Sequence, residues 1–65
     1  MKTVKQDEFD AFIRSIPNDD LECGRDVGRT HGICCYSVAG KVVAVERWHR
    51  DSVSDPRVFI YEIGE

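Results

Sequence analysis

The stretch His31–His49, HGICCYSVAGKVVAVERWH, decides the fold. Two runs rich in β-branched, aromatic and small apolar residues flank Ala39-Gly40, the pattern of a β-hairpin. A two-residue loop there pairs Val38 with Lys41. Carried down the strands, it pairs Cys34 with Val45 and Thr30 with His49. A type I′ turn favours Asn-Gly, so Ala39 is an imperfect turn residue and leaves the register open. The same stretch holds both histidines, two of the three cysteines and the only tryptophan, so it also raises the question of chemistry.

That chemistry does not assemble from the spacing. Cys23, His31, Cys34 and Cys35, with His49 in reserve, supply zinc-ligand types, but structural zinc sites draw paired ligands from tight knuckles. His31-x2-Cys34 is the only such spacing, and strand residues three apart point to opposite faces. Cys34 and Cys35 also face opposite ways. A Cys-His dyad needs nucleophile and base within about 3 Å, whereas His31 and Cys35 share a face roughly 13 Å apart along a strand. Gly24 and Gly28 lack the spacing of a phosphate loop. The expectation is therefore packed thiols, with no metal, no cofactor and no catalytic residue.

Working outward, "VKQDEFDAFIRSIPNDD" is the helical segment. Phe9, Phe12, Ile13 and Ile16 recur at helical spacing and form one apolar stripe. Asp7, Glu8 and Asp10 fall in the first turns, where the helix dipole favours acids. Thr3 with Gln6 has capping-box spacing; the other option is a staple of Val4 on Phe9, which leaves Lys5 as a poor cap. Pro17 disfavours helical geometry at Ile16. Residues 18–30 read as turn and loop, with a short edge strand possible at Leu21 to Cys23. "RDSVSDP" is a polar connection. "RVFIYEI" is a third strand, with Phe59, Tyr61 and Ile63 on one face and Val58 and Ile60 on the other. The expected architecture is α+β: one N-terminal amphipathic helix on a three-stranded antiparallel sheet, α-β-β-β.

Sixty-five residues make one small domain, 1–65, that buries only roughly 60% of its unfolded surface. An enclosed substrate cavity would compete with the core for the same apolar residues, which argues against an enzyme. No run approaches the length of a membrane span. The opening MKTVKQDEFD turns acidic early and lacks a signal core, so a cytoplasmic protein with reduced cysteines is expected.

The net charge of −3 is unevenly spread. Residues 1–22 carry six acids (Asp7, Glu8, Asp10, Asp19, Asp20, Glu22) against three bases, and residues 23–50 carry five bases against two acids. An acidic helix region and a basic middle could form two faces of opposite sign. Arg25, Arg29, Arg47 and Arg50, with Trp48 for stacking, outline a nucleic-acid surface, although the overall acidity opposes phosphate contact. A further signal is hydrophobic. "VVAV", residues 42–45, and the third strand are apolar on both faces, a pattern normal for strands covered on both sides. One helix covers one face, so the other needs the 18–30 segment, a second copy or a partner.

The opening "EFDAFIRSIP" and the small α-β-β-β plan without a catalytic motif resemble the small proteins of phages and mobile elements, and among them the anti-CRISPR proteins. The resemblance covers the helix and the general build. It implies a non-enzymatic inhibitor, acting in the host cytoplasm as a monomer or homodimer. Such an inhibitor binds a CRISPR effector subunit on its nucleic-acid-binding surface. The partner-binding candidates are Asp7, Glu8, Asp10, Asp19, Asp20 and Glu22, with Tyr36 and Trp48 as aromatic anchors. A nucleic-acid-binding protein using the basic residues, or a dimerising accessory protein, is the alternative.

Overall fold

The computed structural model describes residues 1–64. The elements run β1 (Lys2–Val4), α1 (Gln6–Arg14), a 3-10 turn (Asn18–Asp20), β2 (Leu21–Val27), β3 (His31–Val38), β4 (Lys41–His49) and β5 (Val58–Ile63). The protein is α+β, with the helix and hairpin expected. The sheet, however, has five strands, ordered β1-β5-β4-β3-β2, and every neighbouring pair is antiparallel. The three expected strands form its centre, and β1 and β2 extend it to the two edges.

This order dictates where the helix lies. β1 and β2 stand at opposite edges, about 19 Å apart at the usual strand spacing, so the chain between them must cross a whole face. The nine residues of α1 span about 13 Å, and Ser15–Asp20 completes the crossing. Ser15 closes the helix, its Oγ donating to the Phe12 carbonyl at 2.6 Å. Beyond Pro17, the Asp20 N–H donates to the Pro17 carbonyl at 3.0 Å.

The apolar stripe seats on the sheet through Phe9, which is buried with Ala44 and Ile63. Val4, Phe12, Ile13, Tyr36 and Tyr61 close around them. Ala44 is fully buried, and its small side chain lets the Phe9 ring approach the sheet. The Phe9 ring meets Tyr36 edge-on at 5.8 Å and Tyr61 at 5.1 Å, separations at which aromatic pairs add to burial. Burying Phe9 contributes about 1.5–3 kcal/mol. At the helix start the capping box does not form. Thr3 lies in β1, and Lys5 is the N-cap without a side-chain cap. Val4 at N′ packs on the cluster around Phe9 at N4, the hydrophobic staple.

The hairpin forms with a corrected register. Ala39 and Gly40 both have positive φ, 53° and 78°, as a type I′ turn requires. Val38 faces Lys41 and Ser37 faces Val42, but the register then shifts, so that Tyr36 faces Ala44 and His31 faces His49. Val43 is the extra residue of this β-bulge, and its carbonyl accepts from the Gly64 N–H at 2.7 Å. Cys34 consequently faces Glu46, and Cys35 faces Val45.

Residues 18–30 do not fold over the second face of the sheet. They supply the seven-residue edge strand β2, paired with β3 from Leu21↔Val38 to Val27↔Gly32. Six of its seven residues are exposed. The sheet therefore carries a helix on one face and none on the other.

Candidate interaction surfaces

Three surfaces follow from this architecture. The first is the outer side of the helical layer. Asp7, Glu8 and Asp10 on α1 and Asp19 and Asp20 on the 3-10 turn are all exposed. Glu8 lies 3.8 Å from Lys2, with both side chains more than half exposed, so the pair is worth little. Asp7 Oδ1 accepts from the Glu8 N–H at 3.0 Å. Among the described residues, the other four carboxylates have no ion-pair partner. Glu22 separates from this group. It neighbours Cys23, whose sulfur lies on the helix side of the sheet against Cys34, so strand alternation sends Glu22 to the opposite face.

The second surface is the bare face of the sheet. Register places Ile33, Arg47 and Ile60 in one row and Cys35, Val45 and Glu62 in the next. His31, His49 and Val58 follow at the end. Arg47 Nη2 lies 2.7 Å from Glu62 Oε1, linking β4 to β5 across the apolar residues. The stem of Arg47 can cover apolar surface while its head remains in water. This accounts for half-buried Val45 and Ile60 on a face without a second layer. Ile33 stays 37% exposed. Arg47, a candidate for nucleic acid, is thus engaged by Glu62 and turned away from the other basic residues.

The third surface is a groove on the helix side, at the end of the sheet where β4 runs out past the helix. It has a volume of about 250 Å³ and is lined by Arg25, Cys34, Glu46, Trp48, Arg57 and Phe59, among others. Trp48 faces Gly32 across the hairpin. The indole lies where a side chain at residue 32 would be, so this glycine makes room for the ring. The Arg57 guanidinium sits 4.3 Å above the indole and that of Arg50 5.6 Å away, both within cation–π range. Arg50 is fixed from behind. Its Nε donates to the Arg29 carbonyl at 2.7 Å and its backbone N–H to the Thr30 carbonyl at 2.8 Å.

Of the two expected anchors, Trp48 lies in this groove, whereas Tyr36 packs under the helix against Phe9. Of the expected basic residues, Arg25 lines the groove and Arg50 reaches the Trp48 ring, Arg29 contributes its carbonyl to Arg50, and Arg47 is on the other face. Arg57 and Phe59 were not expected there. Their signal was the β4–β5 pairing, which sets Phe59 opposite Trp48 and brings Arg57 alongside.

The chemical letters divide by face. The two histidines oppose each other on the bare face, while Cys23 and Cys34 meet on the helix side with sulfurs 2.8 Å apart. No group of three or more His, Cys, Asp or Glu side chains among the described residues is placed to hold a metal ion. The Cys23 thiol is held above its ordinary value, first by its hydrogen bond to Cys34 and then by burial. The Tyr36 hydroxyl is pushed up by burial beneath the helix and by hydrogen bonding to Cys34. Burial, with the carboxylates of Glu46 and Asp10, raises Tyr61. No described helix is long and apolar enough to cross a membrane. Compared with known proteins, the chain matches no family model, no curated protein and no solved structure.

Proposed function

We propose that this chain is a non-enzymatic inhibitor of the anti-CRISPR type, which sets its acidic helical layer against the cationic nucleic-acid-binding surface of a CRISPR effector subunit in the host cytoplasm. The observation that carries this reading is the exposed, largely unpaired set Asp7, Glu8, Asp10, Asp19 and Asp20 on one layer. Carboxylates displayed this way oppose an Arg/Lys groove as phosphates do, and complementarity of this kind selects partners and speeds encounter. Glu22 lies outside the contact. Cys23 and Cys34 lie on the face opposite the histidines, and Cys35, which shares the histidines' face, stands four residues along β3 from His31, roughly 13 Å away at strand spacing, so no cysteine meets a histidine base. A competition assay tests the proposal. Labelled guide RNA or target DNA is bound to purified CRISPR effector subunits, and the chain is titrated in. Displacement at near-stoichiometric chain supports the reading. Retention of the nucleic acid by every effector at saturating chain contradicts it.

A second reading has its own observation. Arg25, Arg50 and Arg57 gather around Trp48, the combination of cations and a stacking ring used on single strands. In that case a generic oligonucleotide quenches Trp48 fluorescence and binding weakens steeply with salt. An unquenched signal leaves the inhibitor reading alone.

A further inference from the structure

We infer that Cys23 and Cys34 are a paired oxidation site, which a peroxide converts into a disulfide joining the edge strand β2 to β3. The two sulfurs lie 2.8 Å apart although the cysteines are eleven residues apart in sequence. A disulfide needs about 2.05 Å, so the sulfurs have under about 1 Å left to close. The pairing Cys23↔Tyr36 and Arg25↔Cys34 makes the cysteines diagonal neighbours on the helix side of the sheet. Diagonal neighbours approach closely enough for side chains to meet. β2 can give to accommodate the bond, because it is an edge strand paired only with β3 and almost wholly exposed.

The environment orders the chemistry. Cys23 is exposed and Cys34 is buried, so Cys23 meets the oxidant first. Only its thiolate fraction reacts, which the hydrogen bond to Cys34 keeps small at neutral pH and which grows as pH rises. That thiolate attacks one oxygen of hydrogen peroxide and the O–O bond breaks. With the thiol proton, the departing hydroxide leaves as water, and Cys23 becomes a sulfenic acid. The Cys34 sulfur then attacks the Cys23 sulfur. The S–O bond breaks, and the Cys34 proton leaves with the hydroxide as a second water. Two thiols and one peroxide give one disulfide and two waters. Cys35 does not compete. It faces Gly24 and Val45 in the ladders, and alternation puts its side chain on the bare face. The bond has a structural consequence as well. Cys34 and Arg25 both line the Trp48 groove, so oxidation fixes one wall of it.

The test uses the full chain, reduced and then treated with hydrogen peroxide. Intact mass, a non-reducing peptide map and thermal melts are recorded. The expected product has lost two hydrogen atoms, links the Cys23 and Cys34 peptides, and leaves Cys35 open to alkylation after unfolding. Its melting temperature rises by roughly 10 °C, as closing a loop of this size implies, and falls back on reduction. Cys35→Ser behaves like the wild type. The exposed-site variant Cys23→Ser stays folded and gives neither link nor shift. Sulfinic acid at Cys23 without a link, a link to Cys35, or an intermolecular dimer as the main product overturns the assignment.

Discussion

Individual side chains carry more than one duty in a chain this small. Phe9 is the single buried residue of the helix, and the two tyrosines it touches are also the hydroxyls most affected by burial. Cys23 and Tyr36 share Cys34 as a hydrogen-bonding neighbour. Both are held protonated more tightly in the folded state than their ordinary values of 9.0 and 10.0. A group whose value is raised by folding stabilises the fold fully below its ordinary value, and that contribution is lost as pH rises towards the folded value. Stability should therefore be level through neutral pH and decline above about pH 9. Urea midpoints measured from neutral to alkaline pH check this. Tyr36→Phe should flatten part of the decline. A midpoint insensitive to pH across the thiol and phenol range would show that these protons are not linked to folding.

At the scale of elements, what the sequence disclosed depended on whether an element buries a face. The stripe Phe9, Phe12, Ile13 and Ile16 announces α1, and β3, β4 and β5 announce themselves by β-branched and aromatic residues. β2 has no such signal, because Glu22, Gly24, Arg25 and Asp26 bury nothing. It is held by ladder hydrogen bonds, to which any residue but proline can contribute. β1 is three residues long and abuts the helix, where its threonine imitates a cap. At the bulge the Val43 carbonyl accepts from the Gly64 N–H, a contact distant in sequence that local pattern cannot contain. The bulge moves Trp48 opposite Gly32 and thereby builds the groove, so that half of the candidate surface was hidden with it. Ala39, by contrast, was legible as a flaw. It occupies left-handed φ of 53°, which costs a residue with a Cβ roughly 1–2 kcal/mol. Ala39→Asn should recover about 0.5–1 kcal/mol, since Asn tolerates this region. Denaturant midpoints measure the gain. A loss of stability would mean that the turn is not type I′.

The whole molecule, 36 × 21 × 18 Å, has an acidic layer on the helix and a basic groove where β4 runs out past it. The two lie on the same face of the sheet but at different ends, and the opposite face carries Arg47 and Glu62 as an internal pair. A molecule polarised in this way is oriented by a charged partner before contact. Mutating charges in the acidic layer should therefore act on association more than on dissociation. The most direct measurement is the rate of association with any effector subunit that the competition assay identifies as a partner, at low and high salt. Wild type is compared with the triple variant Asp10→Lys, Asp19→Lys, Asp20→Lys and with Glu22→Lys. The inhibitor reading predicts that the triple variant associates at least about tenfold more slowly at low salt. The difference should shrink at high salt, and Glu22→Lys should stay close to wild type. Equal rates for wild type and triple variant at low salt, or an equal slowing by Glu22→Lys, would contradict it.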